Sequence, residues 1–331
     1  MTTRRVAVRL DSMGDLLLTS RALHALRATC DHLALVCSPS ARAAAELLPS
    51  VDEVITWEAP WIAPTPPITR AYPQIAFPEV GSLPAELRLR HFDEAVIFTS
   101  LHQSSLPTTL VLSQADIPWV GGISSDDAAG LLDLCLTHDT DLHEVQDSLR
   151  LALACGGELT DDLPELTLPP RRPELLPPGN FVVLHPGVDS DAQGWPVARF
   201  RQLREELSEA GHQVVVTGGP DEARSTARIA DGSARDLGGH TDVADLARVM
   251  AEADVVLAGD TAAGHLAAAV GTPVVSLVAP TVPPRRWTPY GVPSALLGDP
   301  RLTGVTTDDV LGAVDHLTHT RLNAGALSEV R

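Results

Sequence analysis

V-V-L-A-G-D-T-A-A-G-H-L-A-A-A-V-G-T-P-V-V-S-L-V, residues 255–278, decides the fold. It opens and closes on short apolar runs, residues 255–258 and 274–278, each bounded by Gly or Pro. Runs of that length and composition predict strands buried on both faces, the kind found in parallel sheets. Between them, residues 261–270 are Ala-rich and begin with Thr261, a residue type favoured at a helix N-cap. Parallel strands must be joined by a crossover, so this stretch reads as one β-α-β unit.

The same rhythm continues outward. Upstream, strands are predicted at residues 181–184 and 214–217, with helices at 198–210, from about Asp221, and at 242–253. The last of these begins on acidic residues, as its dipole prefers. The first half repeats the pattern. Strands are predicted at residues 6–10, 33–37, 54–57 and 95–99, and helices at 16–28, 42–48 and 143–154. Residues 58–84 interrupt it with a Pro-rich stretch that reads as one long loop. Between the halves lies L-P-P-R-R-P-E-L-L-P-P-G, residues 168–179. Its five prolines exclude a helix or a central strand. The reading is therefore two doubly wound α/β domains, residues 1–168 and 180–331, with a Pro-rich hinge at 169–179 and a cleft between them. A terminal helix at 308–317 is a candidate to pack back on either domain, the N-terminal one included.

Length and composition bound the function. The 331 residues suit about two domains. All 24 basic residues are Arg; there is no Lys. A lysine Schiff base and a Walker A phosphate loop are thereby excluded. A formal net charge of −19 argues against nucleic acid and against anionic membrane surfaces. No signal peptide and no transmembrane run is evident, and Cys30, Cys37, Cys135 and Cys155 have neither zinc nor disulfide-framework spacing. A cytoplasmic protein with reduced thiols is expected. Its oligomeric state cannot be read from the sequence.

Several turns after strands carry candidate chemistry. Asp11, Ser12, Met13, Gly14 and Asp15 follow the first strand. Gly14 would permit a tight turn, and Asp15 either accepts a proton from a hydroxyl or complements the helix N-terminus. Asp260, Thr261, Ala262, Ala263, Gly264 and His265 open a helix whose leading N–H groups suit a phosphate, or form an ordinary capped start. Gly218, Gly219 and Glu222 would let a nucleotide approach and offer ribose an acceptor, or Glu222 is plain helix decoration. The absence of a G-x-G-x-x-G fingerprint disfavours nicotinamide. His185 and Gly187 close the first strand of the second half; Trp195 reads as a packing anchor. Asp139 and Asp141 form an isolated carboxylate pair, a weak basis for a metal. Arg285 and Arg286 suit either a diphosphate or water.

Taken in order, these pieces resemble glycosyltransferase family 9, the heptosyltransferases. The resemblance rests on D-S-M-G-D-L-L-L-T-S-R-A-L from Asp11, H-E-V-Q-D-S-L-R-L-A-L from His143 and L-H-P-G from Leu184. It continues in W-P-V-A-R-F from Trp195, V-V-V-T-G-G-P-D-E from Val214 and G-D-T-A-A-G-H-L-A-A-A-V-G-T-P-V-V from Gly259. It implies a GT-B fold, with two Rossmann-like domains facing across a cleft. The donor, a nucleoside-diphosphate sugar such as ADP-heptose, would bind the C-terminal domain. An acceptor glycan, lipid-linked molecule or natural-product scaffold would bind the N-terminal one. It implies inverting transfer with no cofactor or metal, Asp15 as general base, Thr261 and its neighbours at the diphosphate, and Glu222 near the ribose. Two positions depart from the pattern: Ala262 stands where the family has Gly, and Gln193 and Gly194 stand where a cation commonly precedes the W-P pair. Arg199, Arg201, Arg285 and Arg286 are the candidate substitutes. The alternatives are a non-catalytic nucleotide-sugar binder, which those departures would favour, a nucleotide-sugar epimerase, and a dinucleotide dehydrogenase.

Overall fold

The computed structural model describes residues 3–62, 82–126, 130–160, 165–172, 174–187, 194–259, 261–278, 286–298, 302 and 304–328, with side chains to 319. Two compact units divide the chain, Met1–Glu165 and Leu166–Arg331.

In the first unit, six parallel strands lie in the order β3-β2-β1-β4-β5-β6. They are β1 (Arg4–Arg9), β2 (His32–Cys37), β3 (Glu53–Thr56), β4 (Glu94–Phe98), β5 (Trp119–Ser124) and β6 (Leu134–Thr137). The helices are α1 (Met13–Arg27), α2 (Arg42–Ala45), α3 (Ser82–Arg88), α4 (Leu106–Leu112) and α5 (Glu144–Ala154). Val6, Val8, Val36, Ile55, Ala95 and Ile97 face one core, closed by Leu87 and Leu112 of α3 and α4. Alternate residues Ala7, Leu35 and Val96 are equally buried on the other face. Burial on both faces explains why the central strands are apolar throughout rather than alternating.

The second unit repeats this winding. Its parallel strands are β7 (Phe181–His185), β8 (Gln213–Val216), β9 (Arg235–Asp236), β10 (Val255–Gly259), β11 (Val274–Leu277) and β12 (Ser294–Leu297), in the order β12-β11-β10-β7-β8-β9. Counted from β7, that is the order of the first sheet. The helices are α6 (Val197–Glu209), α7 (Ala223–Ala230), α8 (Val243–Glu252), α9 (Ala262–Ala269) and α10 (Thr307–Ser328). Trp195, Phe200, Leu203, Val310 and Val314 join Val182, Leu184, Val216 and Leu257 in the core. The terminal helix thus begins in the core of the second unit, one of the two placements expected for it.

One expectation changes. The Pro-rich stretch is not one loop to residue 84: Ser82–Arg88 is helical, with Pro84 in the first turn, where a missing N–H costs nothing. Residues 63–81 lie outside the described residues. The segment expected to be a hinge is strapped to α8 of the second unit. Arg171 pairs with Glu252 at 2.7 Å, Arg172 with Asp245 at 2.6 Å, and Arg248 donates to the Pro169 carbonyl at 2.8 Å. Among the described residues no helix is long and apolar enough to cross a membrane.

Candidate active site

Each sheet changes its direction of winding once, between β1 and β4 and between β7 and β10. At such a switch the loops leaving the strands part and open a crevice at their carboxyl ends. Most of the residues singled out in the sequence lie there.

In the first unit the crevice is built on a buried cation. Arg9, the last residue of β1, has no solvent exposure. Its Nε lies 2.9 Å from Asp11, and its Nη2 lies 3.3 Å from Asp15 and 3.2 Å from Glu144. It also donates to the Thr99 carbonyl and to Ser100 Oγ, both at 3.0 Å. A guanidinium at the centre of a sheet must be paired, and it gathers three carboxylates from separate elements. Asp11 is mostly buried, which pushes its carboxyl above the usual range despite Arg9.

Asp15 is the most open of the three, with a side chain 21% exposed. Ser12 caps α1: its Oγ accepts from the Asp15 N–H at 3.3 Å and donates to Asp15 Oδ2 at 2.6 Å, while the Ser12 N–H donates to the same carboxylate at 3.2 Å. Asp15 completes a capping box, as the helix-start reading expected, and its carboxylate is fixed at the crevice. The turn is made by Ser12 in extended geometry, so Met13 and Gly14 are already helical. The expected tight turn at Gly14 is absent, and its φ is not positive.

In the second unit, Thr261 is the N-cap residue of α9, in extended geometry, but its hydroxyl makes no capping bond. Thr261 Oγ1 is buried without a hydrogen-bond partner, directly at the helix N-terminus. Ala263 and Gly264 are buried and His265 is half-buried in the first turn. A Cβ at Gly264 would only touch β10 and β11, so Gly is not required there by space. His185 bonds Thr217 Oγ1 through Nδ1 at 3.0 Å. Burial lowers its pKa from the ordinary 6.5 to about 4, so it brings no charge at neutral pH. Glu222 Oε2 accepts from the Gly219 N–H at 2.6 Å. Any side chain at Gly187 would overlap the Glu222 carboxylate, and one at Gly218 would crowd it. The glycines therefore make room for this acid; one of its oxygens secures the loop and the other lies beside Gly187.

The model of glycosyltransferase family 9 (heptosyltransferase) matches residues 80–301, about two thirds of the chain. The chain belongs to glycosyltransferase family 9. Lipopolysaccharide heptosyltransferase 3 of Escherichia coli K12 is 34% identical over 108 residues, and lipopolysaccharide heptosyltransferase 1 of Pseudomonas aeruginosa is 39% identical over 106. These matches span 31% of this chain and 31% and 29% of those proteins, about a third of their length. The fold is that of E. coli ADP-heptose lipopolysaccharide heptosyltransferase II, with a TM-score of 0.77 at 20% identity over 96% of this chain and 99% of that one. A family 9 glycosyltransferase of Veillonella parvula gives 0.78 at 17%, covering 96% and 97%. E. coli heptosyltransferase WaaC with ADP gives 0.75 at 20%, covering 95% and 100%. These likenesses establish the GT-B fold.

This family 9 member departs from the pattern at Ala262 without backbone strain, because the residue is the first of α9, where Ala is favoured. Asp260, Gln193 and Arg285 lie outside the described residues. The candidate substitute cations are engaged in structure. Arg199 donates to the Val305 carbonyl, Arg201 pairs with Asp231 at 2.7 Å, and the buried Arg286 stacks on Trp287 at 5.7 Å. Trp195 is the expected packing anchor, edge-on to Phe200 with Nε1 on the Val305 carbonyl. Asp139 accepts from the Asp141 N–H at 3.0 Å and so forms a turn.

Sequence reasoning missed Arg9, Ser100, Gln103 and Glu144, and gave Asp11 no role of its own. One signal was present: an arginine inside V-A-V-R-L, a run that must be buried on both faces, demands acidic partners.

Proposed function

We propose that this protein transfers a sugar, a heptose or a relative, from a nucleoside diphosphate to an acceptor hydroxyl, with inversion and without a metal or other cofactor. Asp15 takes the proton of the hydroxyl. The oxygen forms its bond to the anomeric carbon as the bond to the diphosphate oxygen breaks, and the nucleoside diphosphate leaves with that electron pair. The Thr261 hydroxyl and the leading N–H groups of α9 receive the diphosphate, drawing on the positive end of the helix. Ala262, Ala263, Gly264 and His265 line that turn. His185, Gly187, Gly218, Gly219 and Glu222 form the nucleotide side. Asp260 and Gln193 are assigned to the donor site by sequence pattern alone. Ser12, Met13 and Gly14 shape the acceptor side of Asp15.

One observation carries the reading: a partly open carboxylate fixed by three partners at a sheet switch point. The names of the relatives support heptose as the sugar and ADP-heptose as the first donor to try. Four free cysteines, three of them buried, suit a reducing compartment such as the cytoplasm.

The test is titration with ADP, GDP, UDP and dTDP, with and without magnesium, followed by transfer assays with the matching sugar donor. Metal-independent binding of one nucleotide and inverted product support the reading. Binding without turnover on any acceptor favours a non-catalytic binder. Conversion of donor with no acceptor present favours an epimerase.

A further inference from the structure

The loop after β4 borders a cavity of about 260 Å³ within the first unit. The loop also reaches the carboxylates: Ser100 Oγ lies 3.5 Å from Asp15 Oδ1, and Ser100 and Gln103 stand beside the Asp11 carboxylate. Half of the lining is apolar: buried Leu10 and Phe98 and half-buried Trp61, Ile62 and Pro107. Trp61 is held in place: its ring meets buried Trp57 edge-on, with centroids 5.2 Å apart. Five of the lining residues are polar, among them exposed His102 and buried Thr108; the other three are engaged. Thr99 Oγ1 donates to the Ile123 carbonyl and meets His138, Ser104 Oγ accepts from the Leu106 N–H, and Gln103 Oε1 accepts from the Ser100 N–H.

Charge is the second observation. No Arg is among the lining residues. The nearest, Arg9, is closed off by its carboxylates. Arg5, Arg27, Arg42, Arg88, Arg90 and Arg150 are each paired with an acid. Among the described lining residues, then, an anionic acceptor meets no guanidinium, and the loop that borders the cavity also reaches the carboxylates around Arg9.

We propose that this cavity holds an uncharged ring of the acceptor, with an apolar face against Trp61, and that the protein selects neutral acceptors over phosphorylated ones. The inference rests on the transfer reading for its chemistry, but not for its binding test. Small-molecule sites of about 300–1,000 Å³ hold whole ligands; this one fits a single ring and leaves the rest of the acceptor outside. A stacked ring positions its neighbouring hydroxyl toward Asp15 without drawing on any cation.

Three probes separate the contributions: 4-nitrophenyl β-D-glucopyranoside, its 6-phosphate, and methyl β-D-glucopyranoside. Binding is read by calorimetry and by saturation-transfer NMR on the full chain. The neutral aryl glucoside is expected to bind about tenfold more tightly than either of the others. Trp61→Ala should remove its advantage over the methyl glucoside, and Trp61→Phe should restore most of it. Ile62→Arg, which places a cation in the wall, should turn the preference toward the phosphate. Thermal melts and nucleoside-diphosphate titration of each variant show that the fold and the second unit are intact. Equal binding of the phosphate by the native chain, indifference to Trp61, or no aryl glucoside binding in a protein that binds nucleotide would each overturn the proposal. Nucleotide binding to none of the four diphosphates would overturn the transfer reading instead, and would leave the cavity result to stand or fall by its own probes.

Discussion

Asp15 Oδ1 lies 3.3 Å from Nη2 of Arg9, a guanidinium with no exposure to solvent. The contact joins a group that faces the crevice to one that never leaves the core. It fixes one oxygen of the carboxylate, while Ser12 fixes the other. A base held in this way loses little freedom when an acceptor arrives, which is how position is converted into rate.

Asp15→Asn keeps an oxygen for the Ser12 N–H and loses the proton acceptor. Its kcat is expected to fall by about 10²–10⁴-fold, with donor affinity and thermal midpoint nearly unchanged. Ser12→Ala should do the reverse, costing about 1 kcal/mol of stability for the lost cap while retaining most of the rate. Transfer assays at saturating donor, alongside melts, separate the two. A fully active Asp15→Asn protein would remove the residue from the base role.

How far the sequence showed this in advance differs by element. The β-α-β units around Asp15 and Thr261 were legible because apolar runs, a turn and a helix start follow one another without interruption. β5 was not legible. Its W-V-G-G-I-S carries two glycines, poor strand formers, and the reason for the first is three-dimensional. A Cβ at Gly121 would come within 2.6 Å of the Trp119 ring and 2.8 Å of Cys155 Sγ. β12 is a half-exposed edge strand and carries little pattern. At the site, Asp15 and Thr261 stand out because they sit at strand-to-helix turns. Beyond its own turn, the partners of Asp15 come from β1 and the loop after β4, and only the closed sheet brings them together.

Arg9 holds that convergence, so its loss should be severe. Arg9→Met strands three carboxylates in and beside the core and is expected to cost about 3–5 kcal/mol. Adding Glu144→Leu removes the most buried of the three and should recover part of that loss. Urea unfolding of the single and double variants checks it. Equal stabilities for Arg9→Met with and without the second change would mean that Glu144 and Arg9 are not coupled.

Thr261 separates function from stability in the opposite sense. Its hydroxyl is buried and unpartnered, and it does not cap α9. Thr261→Val therefore sacrifices no existing bond, and relieving an unsatisfied group makes the change neutral or mildly stabilising. Nucleoside-diphosphate affinity should nevertheless drop about tenfold or more, the worth of a hydrogen bond to a charged oxygen. Calorimetry and melts of the same preparation suffice. Unchanged affinity would exclude the hydroxyl from the diphosphate site.

His185 gives the fold an acid sensitivity. In the unfolded chain its imidazole takes a proton near the ordinary 6.5; in the fold, burial delays this to about 4. Between those values the unfolded state binds more protons, so this residue's effect is absent above the window and lowers stability progressively as pH falls through it. His185→Asn keeps a polar partner for Thr217 but cannot titrate. The midpoint of the native chain should therefore fall further between about pH 7 and about pH 5 than that of the variant. Parallel melts at the two pH values read the difference directly. Identical drops would place the protonation of His185 outside the unfolding equilibrium and its ring in contact with water.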